Sequence, residues 1–172
     1  MPMRIMAVCN QKGGTGKTSS AWAILGGATA RKWRALGLDM DIQGNLSFIT
    51  GADSAGLTTG DIMKGKPVNE AIQHTAAGDM IPAGISIAAL PDVDALKRAI
   101  MPLQGAYDLI VIDCPPTLSK PLLAALRAAT EAIIPTTADA LGLQGLYQLR
   151  TSINQANPEL QITGAFLSLI PR

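Results

Sequence analysis

Short apolar runs alternate with stretches whose apolar residues recur every three or four positions, and this alternation continues along the chain. RIMAVC predicts a strand, and TSSAWAILGGATARKW predicts a helix in which Trp22, Leu25, Thr29 and Trp33 share one face. ALGLDMD predicts a second strand with carboxylates at its exit. The polar, glycine-bearing IQGNLSFITGADSAGLTTGD reads as surface connection with short helical turns, and DIMKGKPVNEAIQH as a further turn and helix. GISIAAL is expected as the third strand and DVDALKRAIM as the next helix. YDLIVID is apolar almost throughout, as befits a parallel strand covered on both faces. LSKPLLAALRAAT predicts a helix with Pro121 in its first turn, EAIIP a strand, ALGLQGLYQLRTSINQA a helix and LQITGAFLSLI a last strand. This order predicts an α/β fold with a mostly parallel, doubly wound sheet covered by helices. Ligands in such sheets sit beyond the carboxyl ends of the strands, where Gly13 to Lys17, Asp39 to Asp41 and Asp113 to Pro116 would converge.

Composition narrows the picture. The 172 residues suit one domain spanning 1–172, and 3% aromatic content predicts an aliphatic core. Fourteen basic against thirteen acidic residues leave a formal charge of +1, which neither demands nor excludes nucleic acid. Cys9 and Cys114 are the only cysteines and His74 the only histidine, too few for a disulfide scaffold or soft-metal cluster. Both cysteines follow apolar runs and read as buried thiols of a reducing compartment. With neither a signal-peptide pattern nor a run of membrane-spanning length, a cytoplasmic protein without stable membrane insertion is expected. His74 has no evident partner nearby in sequence, and Trp22 and Trp33 read as packing residues rather than a platform for bases.

NQKGGTGKT, directly behind the first strand, carries the chemistry. Gly13, Gly14 and Gly16 let backbone amides turn toward a phosphate, and the helix beginning near Thr18 points its positive end there. At this spacing Lys17 reaches the β and γ phosphates and the Thr18 hydroxyl ligates magnesium, a P-loop NTPase arrangement. Lys12 is left without a task in the loop. A cation at the rim can reach phosphate across a subunit boundary, as an arginine finger does, which makes a dimer useful; the bland alternative is a solvated lysine. Asp113, closing LIVID, fits a Walker B aspartate held near Mg²⁺. Asp39 and Asp41 leave the second strand two residues apart, so their side chains point the same way if the strand persists. One would organise magnesium and the other orient the attacking water, an assignment the spacing leaves open.

These stretches resemble the ParA/MinD class of P-loop ATPases. KGGTGKT matches its deviant Walker A motif with Lys12 as the signature lysine, DMDIQGNLS its Asp-x-Asp-Pro-Gln-Gly-Asn stretch, and YDLIVIDCPPTLS its Walker B and following switch. AIIPTTADALGLQGLYQL is similar to the corresponding segment of plasmid and chromosome partitioning ParA/Soj proteins. The resemblance implies a slow Mg²⁺-dependent ATPase that dimerises on ATP. Lys12, Gly13, Gly14, Thr15, Gly16, Lys17, Thr18 and Ser19 would hold the nucleotide, and Thr18, Asp39 and Asp113 would serve the metal. Lys12, Lys17 and Asp41 would carry catalysis, Lys12 reaching the partner's nucleotide and Asp41 helping activate water. Gln43, Gly44 and Asn45 would form the first switch, and Cys114, Pro115 and Pro116 the second. It further implies non-specific DNA binding, nucleoid association and a ParB-like activator, in a cycle that segregates plasmid or chromosomal DNA.

Three departures accompany the likeness. Ile42 replaces the usual proline after Asp41, removing a fixed φ and loosening the placement of that carboxylate. Thr15 stands where valine is common and has a similar shape. The sequence ends at SLIPR, short of the C-terminal portion that in typical relatives supplies base-contacting loops and DNA-binding basic residues. DNA binding is therefore expected to be weakened, and no N-terminal helix-turn-helix domain precedes the loop. The alternatives are a MinD-like positioning ATPase, for which AFLSLIPR is too short to form the membrane-binding helix, and a weakly hydrolysing ATP-gated scaffold. The cysteines do not match the paired cluster ligands of nitrogenase iron protein relatives.

Overall fold

The computed structural model describes residues 2–168. In chain order it holds β1 (Arg4–Val8), α1 (Lys17–Ala30), β2 (Ala35–Asp39), α2 (Asn45–Thr50), α3 (Thr59–Met63), α4 (Val68–Ala71), β3 (Gln73–Thr75), β4 (Gly78–Ile81), α5 (Ala95–Ile100), β5 (Leu109–Asp113), α6 (Lys120–Ala128), β6 (Glu131–Thr136), α7 (Ala140–Ala156) and β7 (Gln161–Leu167). Single 3-10 turns lie at Ile85–Ala89 and Met101–Leu103.

The strands form one sheet in the order β3-β4-β2-β5-β1-β6-β7, parallel throughout except for the antiparallel β3–β4 pair. Strand alternation divides the core between two faces. Met6, Val8, Leu109 and Val111 pack with Ala21, Leu25 and Ala28 of α1 on one face. Ala7, Cys9, Ile110 and Ile112 pack with Leu96, Leu122, Leu126, Leu149 and Ile153 of α5, α6 and α7 on the other. Every residue of β2 and β5 is buried, as sheet centre and double coverage require. The mostly parallel, doubly wound P-loop NTPase architecture expected from the sequence is thus present.

Four local expectations are corrected. GISIAAL is not a strand: Ile85–Ala89 forms a 3-10 turn with Ile85 85% exposed, and the fourth strand lies earlier, at Gly78–Ile81. Its two polar or small residues disguised it, while the Ile85–Ile87 spacing imitated strand alternation. His74 does have a partner, since the β3–β4 hairpin pairs His74 with Asp79 and brings Nδ1 to 2.6 Å from Oδ1. Trp22 and Trp33 are not packing residues; they are 48% and 40% exposed, and the buried stripe of α1 is instead Lys17, Ala21, Leu25 and Ala28. Trp33 leaves the helix because α1 ends at Ala30. Finally, the last strand stops at Leu167, and the Leu169 and Ile170 of the expected run lie outside the described residues, as does the terminal Arg172.

The end of α1 was hidden by a lysine. The amides of Lys32 and Trp33 donate to the carbonyls of Thr29 and Ala28, a Schellman pattern that normally places glycine in the left-handed position. Here Lys32 occupies it with φ of 64°. Lys32→Gly is expected to raise unfolding stability by about 1 kcal/mol, read as a higher denaturant midpoint at unchanged m value.

Candidate functional site

The phosphate loop leaves the end of β1 and enters α1 at Gly16, and strands fix its point of departure. Val8 pairs with Asp113 and Asp39 pairs with Asp113 in adjacent registers, so β1, β5 and β2 end side by side. Beyond those ends the Cys114 amide donates to the Val8 carbonyl and the Met40 amide to the Asp113 carbonyl. The three predicted segments therefore meet at one pole of the sheet. Asn10 anchors the loop's entry: it is fully buried, donates from Nδ2 to the Pro135 carbonyl at 2.8 Å, and accepts the Lys12 amide at 3.0 Å.

Within the loop Gly14 and Gly16 adopt φ of 71° and 79°, a left-handed conformation open to glycine at little cost. Thr15 between them is buried. The amides of Gly13, Gly14 and Gly16 donate to no acceptor among the described residues, and Gly16 opens directly into α1. A concave run of free amides at the start of a fourteen-residue helix suits a polyphosphate.

The two lysines have opposite orientations. Lys17 is 7% exposed, and its Nζ turns back across the loop to the Lys12 carbonyl at 3.1 Å. Burial lowers its pKa, while Asp113 and Asp41 pull in the other direction. Lys12 turns outward to the start of α7, where its Nζ lies 2.8 Å from Asp139 Oδ2 and 3.0 Å from Thr137 Oγ1. Asp139 caps α7 by accepting the Gly142 amide at 2.7 Å. Hydrogen bonding from Lys12, then from Gly142 and Thr137, holds its carboxyl down to about 2.

The carboxylates also divide. Asp113 is buried with neither oxygen hydrogen-bonded among the described residues. The Thr18 hydroxyl is close enough to offset part of the burial penalty without completing a hydrogen bond, and burial, reinforced by Asp39 and Asp41, pushes the Asp113 pKa up to about 7. Asp39 is equally buried, but its oxygens are engaged: Oδ2 accepts the Ser47 amide and hydroxyl at 2.8 and 2.7 Å, and Oδ1 accepts the Asp41 amide at 3.1 Å. Burial raises its pKa as well, against those hydrogen bonds. β2 ends at Asp39, so strand alternation does not extend to Asp41. Asp41 instead lies in the following turn, half-buried, with Oδ1 accepting the Gln43 amide at 3.0 Å.

An orphaned carboxylate beside a second buried one, facing a threonine hydroxyl, fits a divalent cation held by few protein oxygens, the habit of magnesium on a phosphate. No group of three or more His, Cys, Asp or Glu side chains able to hold a metal exists among the described residues.

The remaining predicted residues frame this centre. Ser19 is exposed on the first turn of α1, beside Ser20, whose hydroxyl donates to the Gly16 carbonyl. Gln43 is exposed, Gly44 takes a left-handed conformation with φ of 66°, and Asn45 starts α2. Ser47 links that helix to both Asp39 and the Ala83 amide. Cys114 and Pro115 are buried and Pro116 half-buried. Burial drives the Cys9 thiol up to about 12 and raises Cys114 as well, so both are packing groups. Sequence reasoning missed Asn10, Ser47, Thr137 and Asp139. Asp139 was legible as an aspartate before an apolar periodic run, a helix N-cap pattern; the others act over separations that no local pattern encodes.

Among the described residues no helix is long and apolar enough to cross a membrane. A family model described as an AAA domain matches residues 3–163. The chain is 33% identical to the chromosome partitioning protein ParA of Myxococcus xanthus over 184 residues, covering 96% of this chain and 65% of that one. It is similar to the crystal structure of cobyrinic acid a,c-diamide synthase from Mycobacterium smegmatis with bound ATP analog and magnesium, with a TM-score of 0.90 and 34% identity over 98% of this chain and 73% of that chain. The cell division ATPase MinD of Pyrococcus furiosus superposes with a TM-score of 0.84 at 27% identity, covering 95% of this chain and 71% of that one.

Proposed function

The chain belongs to the family of that AAA-domain model and is a P-loop ATPase of the ParA/MinD/CobQ superfamily, and from that premise we propose that it is an ATP-driven dimeric switch of the partitioning type. The observation that carries this reading is the division of labour between the lysines, one turned into the loop and one held at its rim.

Gly13, Gly14, Thr15, Gly16, Lys17, Thr18 and Ser19 hold the triphosphate, with Lys17 as its internal cation. Thr18 and Asp113 hold magnesium, and Asp39, committed to Ser47 and the Asp41 amide, ties the first switch to the metal site. Magnesium held there would supply positive charge to the bound phosphates. Asp41 keeps Oδ2 without a hydrogen bond among the described residues and can orient water with it while Oδ1 stays on Gln43. Gln43, Gly44 and Asn45, together with Cys114, Pro115 and Pro116, respond to the γ phosphate.

Lys12 acts across a dimer interface. Its bond to Asp139 is solvent-exposed, with side chains 31% and 49% accessible, and exposed pairs of this kind contribute little. A partner's polyphosphate offers several negative charges in a drier setting and draws the lysine away from Asp139. That exchange links nucleotide state to the N-terminus of α7.

The name of the M. xanthus ParA, a chromosome partitioning protein, supports a partitioning role. To that role we add a ParB-like activator and weakened non-specific DNA binding as partners, with the protein in the cytoplasm at the nucleoid. A ligase reading, prompted by the M. smegmatis synthase, needs a seat for a carboxylate-rich acceptor near the phosphates. The neighbouring groove, about 500 Å³ between the start of α7 and the end of β7, is lined by Thr136–Asp139, Leu146 and Ala165–Leu167. Its one charged lining group among the described residues, Asp139, is a carboxylate already paired with Lys12, not the free cation that such an acceptor would need.

Sedimentation velocity with ATP and Mg²⁺ tests the proposal. The chain is expected to form a nucleotide-dependent dimer that Asp41→Ala traps and Lys12→Ala loses. Monomers at saturating nucleotide in both the chain and Asp41→Ala would overturn the switch, and unchanged sedimentation and turnover in Lys12→Ala would return that lysine to a solvated surface role.

A further inference from the structure

The residue following β7 reaches the phosphate loop. Ser168 Oγ lies 2.6 Å from the Thr15 carbonyl, across a separation of 153 residues, and 3.1 Å from the Thr136 carbonyl. One hydroxyl proton serves one acceptor well. The Thr136 carbonyl already receives the Ser168 backbone amide at 2.7 Å, so the shorter contact to Thr15 is the bond that carries the proton. The Ser168 Cβ and Oγ also lie 3.6 and 3.7 Å from the point where a side chain at Gly16 would begin.

The acceptor belongs to the peptide joining Thr15 to Gly16. In a trans peptide the carbonyl and the following N–H point in opposite directions within one rigid plane. Holding the Thr15 oxygen toward Ser168 therefore turns the Gly16 N–H away from Ser168. That N–H has no acceptor among the described residues, and it belongs to the glycine that opens α1 with φ of 79°. Glycine at this φ is free to flip its peptide, so the loop's own sequence does not fix which way the N–H faces. An external hydrogen bond does.

We propose that Ser168 is a positioning residue for phosphate binding, one that braces the Thr15–Gly16 peptide from outside so that the Gly16 amide is presented to the polyphosphate. The inference rests on the phosphate-site reading above and adds a residue outside the loop. The brace is well founded: the Ser168 backbone is itself clamped to the end of β6, and β6 pairs with β1, from which the loop departs. Ser168 thereby relays the placement of the sheet's β7 edge to the phosphate loop. Because the hydroxyl does not touch the ligand, its loss should weaken binding of every polyphosphate by a similar factor, whatever the base or the γ phosphate.

The test titrates ADP with Mg²⁺, and inorganic pyrophosphate with Mg²⁺, into the full chain and into Ser168→Ala, Ser168→Thr and Lys17→Ala. Ser168→Ala is expected to weaken both probes about fivefold to tenfold, the range of one hydrogen bond, with Ser168→Thr restoring binding. The amide proton resonance of Gly16 in the ADP-bound protein should shift in Ser168→Ala and return in Ser168→Thr. A merely structural role would instead lower the melting temperature without nucleotide and leave that resonance in place, which would overturn the proposal. If Lys17→Ala loses both probes while Ser168→Ala binds like the unaltered chain, this inference fails alone. If the unaltered chain binds neither probe, it fails together with the phosphate-site reading.

Discussion

Replacing Lys17 with alanine is expected to lower affinity for ATP with Mg²⁺ by about a hundredfold, as read by calorimetric titration. Lys17 is the buried cation facing Asp113 and Asp41, and its ammonium is held over the loop by the Lys12 carbonyl. Truncating one partner of a buried, hydrogen-bonded charge pair typically costs about 2–5 kcal/mol, and each 1.4 kcal/mol is roughly tenfold in affinity. Here the loss falls on bound phosphate, because the carboxylate side can escape by protonation: the Asp113 pKa already stands at about 7 with the lysine present, and removing the lysine moves it further up. A neutral Asp113 is a poorer magnesium ligand, so metal and nucleotide affinity should fall together. Lys17→Met separates charge from packing, since it keeps a long apolar stem along α1's buried stripe. Equal losses in the two variants assign the effect to charge; wild-type affinity and turnover in either would reject the internal phosphate role.

The same site shows what a sequence can and cannot announce. Glycines with a following Gly-Lys-Thr, between an apolar run and a helix, are a local pattern, and the loop, α1 and β1 were read from it directly. LIVID ended at Asp113 as expected because five consecutive apolar or acidic positions in a covered central strand leave little choice of register. The misreadings arose where tertiary context decides. Short β4 carries Gly78 and Asp79, and is recognisable only from the hairpin that pairs Asp79 with His74 and from the Tyr107 hydroxyl that donates to the same carboxylate at 2.6 Å. Trp33 is expelled from the helical face by a left-handed lysine, a choice that propensity disfavours. The carboxylates could be named from the strand ends, yet their unequal circumstances depend on Ser47, which engages one and leaves the other bare. Likewise the outward turn of Lys12 depends on Thr137 and Asp139, over a hundred positions away along the chain and adjacent only because β6 lies beside β1.

Asp41→Ala should bind ATP with Mg²⁺ almost as the unaltered chain does while losing turnover by about 10²- to 10⁴-fold, the range attributed to a positioned acid or base. The expectation follows from where its atoms are. Asp41 stands in the turn after β2, outside the loop, with Oδ1 holding the Gln43 amide and Oδ2 free among the described residues. Neither oxygen is required by the loop's glycines or by Lys17, so the ground-state complex loses little. Removing a negative charge near Lys17 even favours the incoming triphosphate slightly. The loss appears when the attacking water must be oriented and relieved of a proton. Asn at this position provides a sharper comparison: Asp41→Asn preserves the bond to Gln43 and the turn's shape, yet cannot accept a proton. If turnover falls as far in Asp41→Asn as in Asp41→Ala, the carboxylate's basicity is the operative property. If Asp41→Asn retains most of the rate, the residue acts by shaping the switch through Gln43, and Ile42, 48% exposed where a proline would have stiffened the turn, becomes the natural second site to alter. Wild-type phosphate release in Asp41→Ala would remove it from catalysis altogether.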